Sequence, residues 1–440
     1  MQPLEWAAFF MSVNMPKPNV GHIAHVGTIS ILVDNREVNM RGAPHVTTLI
    51  MTLALALCCI VGCSSTQAPS ETSSESSQSE SFAEVGDSYT NGYFSTIAMT
   101  GEVAKTISSM TLEQKVAQLF IVEPSVLDDL GGDDGDPMQR YPVGGLLFPA
   151  YYMESPDQTR AMLSEMQQRS QDAVGVPLFL CIDEEGGTVL RVASNPAFGV
   201  YDVGDMAAIG ATGDVEAAGN AASYIGSYLH DLGFNVDLAP VADLSNGEDW
   251  MAWRSFGSDA DLTSRMVAAQ VEGFLNEGVL CSVKHFPGIG GIDEDSHEGR
   301  IYSHLSMNEF REGPLKPFAA GIEAGAPFVM VGHLSTPEAT GDDVPASLSP
   351  AWTVDMLRGE MGFKGIVIVD SLGMGAVYDR YSQYDLGALC LEGGADMLLN
   401  PADFPQMYQG VLDAVERGEL SEARINEALA HVLLEKSKLE

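Results

Sequence analysis

Eight short apolar runs alternate with amphipathic stretches along the chain from about Ser109 onward. Segments between the runs, such as residues 157–173 and 261–278, repeat apolar residues every three or four positions, which predicts helices. The runs themselves lack a polar/apolar alternation, as is typical of parallel strands buried on both faces. The predicted strands are QLFIV (118–122), GGLLFP (144–149), PLFLCID (177–183), NVDLAP (235–240), CSVKHF (281–286), FVMVGH (328–333), GIVIVD (365–370) and ADMLLN (395–400).

Repeated strand–helix units favour a parallel sheet covered by helices. Eight such units closing on themselves form a (β/α)8 TIM-type barrel, and we expect this fold for a single catalytic domain over residues 101–440. An open doubly wound sheet is the alternative, but no phosphate-binding GxGxxG follows the first strand.

Polar residues stand at the carboxyl ends of the predicted strands, where a barrel carries its active site. They are Asp183, Lys284, His285, His333, Asp370 and Asn400. Asp370 follows four β-branched residues, so a rigid strand would aim its carboxylate into the rim. An aspartate that only caps the next helix is the alternative.

The segment KHFPGIGGIDEDSHEGR (284–300) combines three glycines with the triplet Asp295-Ser296-His297. Such a dense set of glycines predicts a loop that bends or moves. A carboxylate two residues from a histidine can fix its tautomer, and the histidine can then give and take a proton near neutral pH. A histidine in an ordinary surface loop is the alternative.

The formal net charge is −39, from 22 Lys and Arg against 61 Asp and Glu. This surface repels phosphate backbones, so we expect no nucleic-acid partner. Six cysteines do not form a disulfide framework, because three lie near the N-terminal apolar run and three are scattered among predicted strands and a helix. We expect Cys181, Cys281 and Cys390 to be buried apolar side chains.

The N-terminal region reads as a targeting segment. An apolar run over residues 46–61 ends in Ile60-Val61-Gly62-Cys63, which resembles the lipobox of bacterial lipoproteins. We therefore expect residues 40–62 to be a signal peptide, Cys63 to be lipidated, and the chain to be extracytoplasmic, bound to the membrane only through this anchor. Residues 63–100, rich in Ser and Glu, predict a flexible tether. A plain membrane helix is the alternative for the apolar run, and residues 1–39 are interpreted as an upstream extension.

Several strings stand in order along the chain, including IDEEGG (182–187), NVDLAPVADL (235–244), RSFGSD (254–259), KHFPG (284–288) and GIVIVDSLGM (365–374). Together they resemble glycoside hydrolase family 3, specifically its bacterial β-N-acetylglucosaminidases, and the similarity extends from residue 110 to residue 429. The resemblance implies an exo-acting, retaining β-N-acetylhexosaminidase that acts on GlcNAc-bearing glycans without a metal or organic cofactor.

The resemblance also implies a role for individual residues. Asp370 corresponds to the family nucleophile, and His297, assisted by Asp295, corresponds to the acid/base. The positions that correspond to sugar-binding residues are Asp183, Arg191, Arg254, Lys284 and His285.

Two departures from the family pattern leave the sugar beyond the cleaved bond open. Thr188-Val189-Leu190-Arg191 replaces the usual Arg-Val-Gln-Arg, and Ile289 replaces a histidine. A β-glucosidase, another exo-glycosidase of the family and a phosphorolytic variant remain alternatives. A non-catalytic sugar-binding lipoprotein is the alternative from another class. The sequence does not define the oligomeric state.

Overall fold

The computed structural model describes residues 101–131, 135–292, 295–297 and 299–439. The strands are β1 Phe120–Val122, β2 Gly145–Leu147, β3 Phe179–Ile182, β4 Val236–Asp237, β5 Leu280–Phe286, β6 Ile301–Tyr302, β7 Phe328–Val331, β8 Leu334–Ser335, β9 Ile366–Val369 and β10 Leu398–Leu399. The α-helices span Gly101–Ser109, Leu112–Ala117, Pro124–Leu130, Pro137–Arg140, Pro156–Val174, Met206–Thr212, Val215–Leu232, Ala260–Asn276, Met307–Glu312, Leu315–Glu323, Pro337–Thr340, Gly375–Tyr378, Gln383–Glu392, Phe404–Arg417 and Glu422–Lys436. A π-helix spans Ala351–Glu360, and three 3-10 turns span Ala150–Tyr152, Pro196–Phe198 and Ala346–Leu348.

Eight of the strands form one parallel sheet in the order β10-β1-β2-β3-β4-β5-β7-β9. A parallel bridge between Ile368 and Met397 joins the two ends of this order. The Val369 N–H also donates to the Met397 carbonyl at 3.1 Å. The predicted (β/α)8 barrel is therefore confirmed, and the doubly wound alternative was wrong.

Local sequence signals define the long helices. The helix Pro156–Val174 begins after the Ser155 cap with proline in its first turn, and it ends at Gly175 with φ of 69°. The helix Ala260–Asn276 begins after Asp259, whose carboxylate accepts two backbone N–H groups. Both helices fall within a few residues of the segments that the apolar periodicity predicts.

The barrel strands are almost wholly buried, which explains their continuous apolar sequence. Every residue of β1, β3, β5, β7 and β9 is buried. Most strands are shorter than the predicted runs; β4 and β10, for example, have two residues each. The small parallel pair β6 and β8 was not predicted, because two-residue strands leave no periodic signal.

The buried state predicted for Cys181, Cys281 and Cys390 is confirmed, and all three are free thiols. No helix within the described ranges is long and apolar enough to span a membrane. The expectations for residues 1–39, 40–62 and 63–100, including Cys63, lie outside the described residues.

Candidate active site

A cavity of about 270 Å³ lies at the carboxyl ends of the barrel strands. Three carboxylates and three cations line it together with apolar side chains and two histidines. Its lining comprises Leu147, Asp183, Glu185, Val189, Arg191, Trp250, Arg254, Lys284, His285, His297, Met330, Asp370, Ser371, Met374 and Leu399. The mixture of paired charges and apolar surface suits a neutral ligand that carries many hydroxyl groups.

Glu185 connects two buried cations at the floor of this cavity. Its Oε1 accepts hydrogen bonds from Lys284 Nζ and Arg254 Nη2, both at 2.7 Å, and its Oε2 accepts from Arg254 Nε at 2.7 Å. Burial alone would raise the pKa of Glu185, but the charges of Lys284 and Arg254 outweigh burial and hold that pKa well below its usual range. The two cations are thereby fixed side by side.

Asp183 occupies the other side of Lys284. The ammonium donates to Asp183 Oδ1 at 2.8 Å, and Arg191 lies 4.0 Å from Asp183 Oδ2. Burial alone would lower the pKa of Lys284, but Asp183 and Glu185 raise it overall, so the ammonium stays protonated. Lys284 and Arg191 can donate hydrogen bonds to sugar hydroxyls, and Asp183 can accept them.

The loop that carries Arg191 is anchored by a buried carboxylate. Glu184 accepts the backbone N–H groups of Arg191 at 2.5 Å, Val192 at 2.9 Å and Ala193 at 2.8 Å. The Tyr228 hydroxyl donates to the same carboxylate at 2.8 Å. Two adjacent glutamates after β3 therefore act differently, since Glu184 holds the backbone and Glu185 holds side chains of the cavity.

His285 is oriented by Asp243. The Asp243 Oδ2 lies 2.7 Å from His285 Nδ1 and also accepts the His285 backbone N–H at 3.1 Å. Asp243 Oδ1 accepts the Ile289 N–H at 2.7 Å. Because Nδ1 is committed to Asp243, Nε2 is the ring atom directed toward the cavity, where it lies 3.4 Å from Arg254 Nη2.

Asp370 follows β9, as predicted, and its carboxylate lines the cavity. Its Oδ1 accepts the Ser371 N–H at 2.8 Å. Burial alone would raise the pKa of Asp370, but His285, His333, the Ser371 N–H and Lys284 outweigh burial and lower it. The carboxylate is therefore ionised at neutral pH.

His333 is bonded to Ser371, the residue that follows Asp370. Its Nε2 lies 3.0 Å from the Ser371 carbonyl and its Nδ1 lies 2.8 Å from Ser347 Oγ. Burial lowers the pKa of His333, so the neutral ring donates to the carbonyl and accepts from the hydroxyl. Ser371 is thus bonded on both sides, by His333 and by Asp370.

His297 and Asp295 lie on the loop that follows β5. Asp295 Oδ1 lies 2.7 Å from His297 Nδ1 and accepts the His297 backbone N–H at 2.9 Å. The His297 side chain is 63% exposed at the mouth of the cavity. Its ring meets the Trp250 ring edge-to-face at a centroid distance of 6.1 Å. This pairing leaves His297 Nε2 as the nitrogen that can exchange a proton with a ligand.

The glycines of this loop allow it to lie against the loop after β4. A Cβ on Gly290 would stand 1.9 Å from the Leu244 carbonyl oxygen, so only glycine fits this approach. Gly291, with φ of 74°, donates its N–H to Asp249 Oδ2 at 2.8 Å. The first part of this loop is therefore held against the loop after β4, and the loop then continues to His297.

The structure brings seven of the eight predicted site residues to the cavity lining, and the eighth, Asp295, contacts His297. Sequence reasoning missed Glu185, Asp243 and Trp250. Glu185 and Asp243 lie inside the quoted strings IDEEGG and NVDLAPVADL. Their acidic side chains, close to predicted strands, were the signal that could have identified them as site residues. The position of Trp250 depends on the packing of two loops. No group of three or more potential metal ligands occurs among the residues that the structure describes.

The carboxyl ends of the barrel strands carry a carboxylate, a histidine paired with a second carboxylate, and several paired charges. A barrel with such a rim is arranged to bind and process a small polar ligand. Residues 111–434 match the family model described as glycosyl hydrolase family 3 N terminal domain. Because this match covers more than half of the chain, the protein belongs to glycosyl hydrolase family 3.

Individual relatives are consistent with this family. The chain is 30% identical over 329 residues to "Beta-hexosaminidase A" of Pseudoalteromonas piscicida, covering 69% of this chain and 54% of the relative. It is 31% identical over 270 residues to a "Beta-hexosaminidase" of Stenotrophomonas maltophilia, covering 61% and 79%. The structure of a family 3 beta-N-acetylglucosaminidase from Paenibacillus sp. str. FPU-7 superimposes with a TM-score of 0.69 at 34% identity, covering 75% of this chain and 63% of that one. The chain thus spans little more than half the length of the first of these relatives.

Proposed function

We propose that this protein is an exo-acting, retaining β-N-acetylhexosaminidase that removes terminal β-linked N-acetylglucosamine from peptidoglycan fragments or related glycans. One observation carries the proposal: Asp370 and His297 line the same cavity, and His297 Nδ1 is paired with the Asp295 carboxylate. The names of the relatives support the choice of sugar, and the neutral balance of charges around the cavity suits an uncharged pyranose.

In the first step Asp370 attacks the anomeric carbon and forms a glycosyl ester. The protonated His297 gives its Nε2 proton to the glycosidic oxygen, which leaves with the bonding electron pair. In the second step neutral His297 takes a proton from water, and the resulting hydroxide displaces the Asp370 carboxylate. Asp295 stabilises the imidazolium that is present before the first step and forms again in the second.

The paired cations hold the sugar while Asp370 reacts. Lys284 and Arg254 are already fixed by Glu185, so they need little reorganisation when hydroxyl groups of the substrate arrive. Asp183 and Arg191 complete the set of donors and acceptors, and His285 offers Nε2 to the cavity. We assign these five residues to substrate binding.

We further propose that the enzyme acts outside the cytoplasm and is held at the membrane by a lipid on Cys63. The support is the apolar run over residues 46–61, the lipobox-like Ile60-Val61-Gly62-Cys63 and the Ser/Glu-rich stretch that follows. An anionic membrane surface does not attract an acidic chain, so the lipid would supply the attachment.

The activity is tested with purified protein on 4-nitrophenyl β-N-acetylglucosaminide and 4-nitrophenyl β-glucoside, each with and without inorganic phosphate. We expect rapid release from the first substrate, weak release from the second and no requirement for phosphate. Proton NMR during the first minutes should show the β-anomer of N-acetylglucosamine. Release from the glucoside alone, a sugar phosphate as the main product, or an initial α-anomer would each contradict the proposal.

A further inference from the structure

A buried carboxylate that the proposed mechanism does not use joins the loop after β4 to the loop after β5. Asp249 belongs to the first of these loops and is 8% exposed. Its Oδ1 accepts the Met251 N–H at 2.8 Å, and its Oδ2 accepts the Ser245 hydroxyl and the Gly291 N–H, both at 2.8 Å. One side chain therefore holds the backbone of both loops.

On its own loop, Asp249 closes the start of a turn that carries Trp250 and Arg254. The Ala252 N–H donates to the Asp249 carbonyl at 3.0 Å, and the Arg254 N–H donates to the Met251 carbonyl at 3.0 Å. The Arg254 guanidinium lies over the Trp250 ring, with 5.7 Å between its Cζ and the ring centroid. The position of a proposed sugar-binding residue, Arg254, therefore depends on this turn.

On the loop after β5, the same carboxylate holds Gly291, which precedes the proposed proton donor His297. The His297 side chain is 63% exposed, so its position depends on the backbone that carries it. The Trp250 ring meets the His297 ring edge-to-face, and the Ser296 carbonyl accepts the Ala376 N–H at 3.2 Å. The place of the proton donor is thus set by how its loop lies against the loop after β4.

We propose that Asp249 is a positioning residue for the acid/base. It holds the His297 loop at a defined distance from Arg254, so that a sugar bound by Arg254 presents its glycosidic oxygen to His297. The inference rests on the proposed function, in which His297 exchanges the proton and Arg254 binds the sugar. Proton transfer requires the two heavy atoms within about 2.6–3.2 Å, and a displacement of about 1 Å can cost about 10²-fold in rate.

Asp249→Asn keeps the size of the side chain but cannot hold both loops. An asparagine has one acceptor oxygen and one NH2 group. If the oxygen takes the place of Oδ2, the NH2 group meets the Met251 N–H; if it takes the place of Oδ1, the NH2 group meets the Gly291 N–H. In either orientation two donors face each other in a buried position, so the His297 loop should move relative to the turn.

The test measures how strongly each protein depends on the leaving group. The readout is kcat/KM on 4-nitrophenyl β-N-acetylglucosaminide divided by kcat/KM on the β-1,4-linked disaccharide of N-acetylglucosamine, whose leaving group needs the proton. We expect this ratio to rise about tenfold in Asp249→Asn and about 10²–10⁴-fold in His297→Ala. In the His297→Ala background, Asp249→Asn should leave the ratio unchanged, because no proton donor remains to be positioned.

Ser245→Ala is a milder variant, since it removes one donor to Asp249 Oδ2 without a new clash, and it should raise the ratio about threefold. Asp259→Asn is the matched control. Asp259 also accepts two backbone N–H groups, at 3.0 and 3.1 Å, but at the start of the helix Ala260–Asn276, so its ratio should equal that of the wild type. Melting curves verify that each variant is folded.

A wild-type ratio in a folded Asp249→Asn, or in Ser245→Ala if the asparagine variant does not fold, would overturn the positioning role. So would an equal rise in Asp259→Asn, or a further rise when Asp249→Asn is added to His297→Ala. A wild-type ratio in His297→Ala would instead overturn the proposed function, because His297 would then not be the acid/base.

Discussion

Among the residues that the structure describes, the Glu185 carboxylate is the one that binds both Lys284 and Arg254. Glu185→Gln therefore separates the cation pair from its anion with almost no change in volume. The single amide oxygen of the glutamine can accept from Lys284 Nζ and Arg254 Nη2, as Glu185 Oε1 does now. The amide NH2 then faces Arg254 Nε, which donates to Glu185 Oε2 at 2.7 Å in the wild type. Two donors would meet in a site where the Glu185 side chain is only 2% exposed.

The free-energy cost of Glu185→Gln follows from the burial of this side chain. Removal of one partner from a buried ion pair costs about 3–5 kcal/mol, and the remaining contact of Lys284 with Asp183 favours the lower end. We expect a loss of about 3 kcal/mol, divided between the free energy of unfolding and transition-state binding. If all of it appears in catalysis, kcat/KM falls about 10²-fold.

Glu360→Gln provides a matched control for this variant. Glu360 also accepts two hydrogen bonds from one arginine, Arg311, at 2.7 Å each, but their side chains are 47% and 41% exposed. An exposed pair contributes about 1 kcal/mol or less. Urea unfolding and kcat/KM on the aryl substrate are measured for both variants. Equal losses in the two variants would refute the assignment of Glu185 as the residue that positions the cations.

Three further changes test other parts of the structure. Burial lowers the pKa of Lys436 to about 7, against about 10.4 in an unfolded chain, so the unfolded state binds more protons between about pH 7 and pH 10. The free energy of unfolding should therefore rise with pH in this range, by up to about 1.4 kcal/mol per pH unit. Lys436→Met should remove this rise in urea unfolding at pH 7, 8 and 9, and an unchanged slope would contradict the lowered pKa of Lys436. His297→Ala should reduce kcat/KM about 10²–10⁴-fold on substrates with poor leaving groups and much less on activated aryl glycosides, whereas an equal loss on both would remove His297 from the acid/base role. Cys63→Ala should abolish palmitate labelling and detergent partitioning of the full chain in bacterial cells, and a wild type that does not label would refute the lipid anchor.

The barrel could be predicted because its strands are buried on both faces and therefore read as continuous apolar runs. Asp370 was found for the same reason, since it is the first polar residue after Ile366–Val369. The predicted ends of the strands were less accurate, because apolar residues continue beyond the hydrogen-bonded part of β4 and β10. The pair β6 and β8 was missed since it rests on only two residues in each strand.

The network behind the site could not be predicted from the sequence. Glu185 and Arg254 are 69 residues apart, and Lys284 is 101 residues from Asp183. Spacing along the chain does not indicate which carboxylate meets which cation until eight strands bring their ends to one rim. The Asp295–His297 pair, in contrast, is local, and its two-residue spacing indicated that the carboxylate could orient the histidine, as the hydrogen bond in the structure does.

The proposed mechanism requires that Asp370 forms a covalent bond with the sugar during turnover. Its lowered pKa keeps the carboxylate ionised, and the Ser371 N–H holds it in the cavity. Asp370→Asn keeps the size of the side chain and removes its charge, so the fold should persist while turnover falls by several orders of magnitude. A melting curve for this variant separates loss of catalysis from loss of structure.

The most direct measurement is mass spectrometry of the wild type after reaction with a 5-fluoro-N-acetylglucosaminyl fluoride, which slows release of the glycosyl ester. We expect one added sugar per chain and, after digestion, a label on the peptide that contains Asp370. Asp370→Asn should remain unlabelled under the same conditions. A label on another carboxylate, or full turnover by the asparagine variant, would contradict the assignment of Asp370 as the nucleophile.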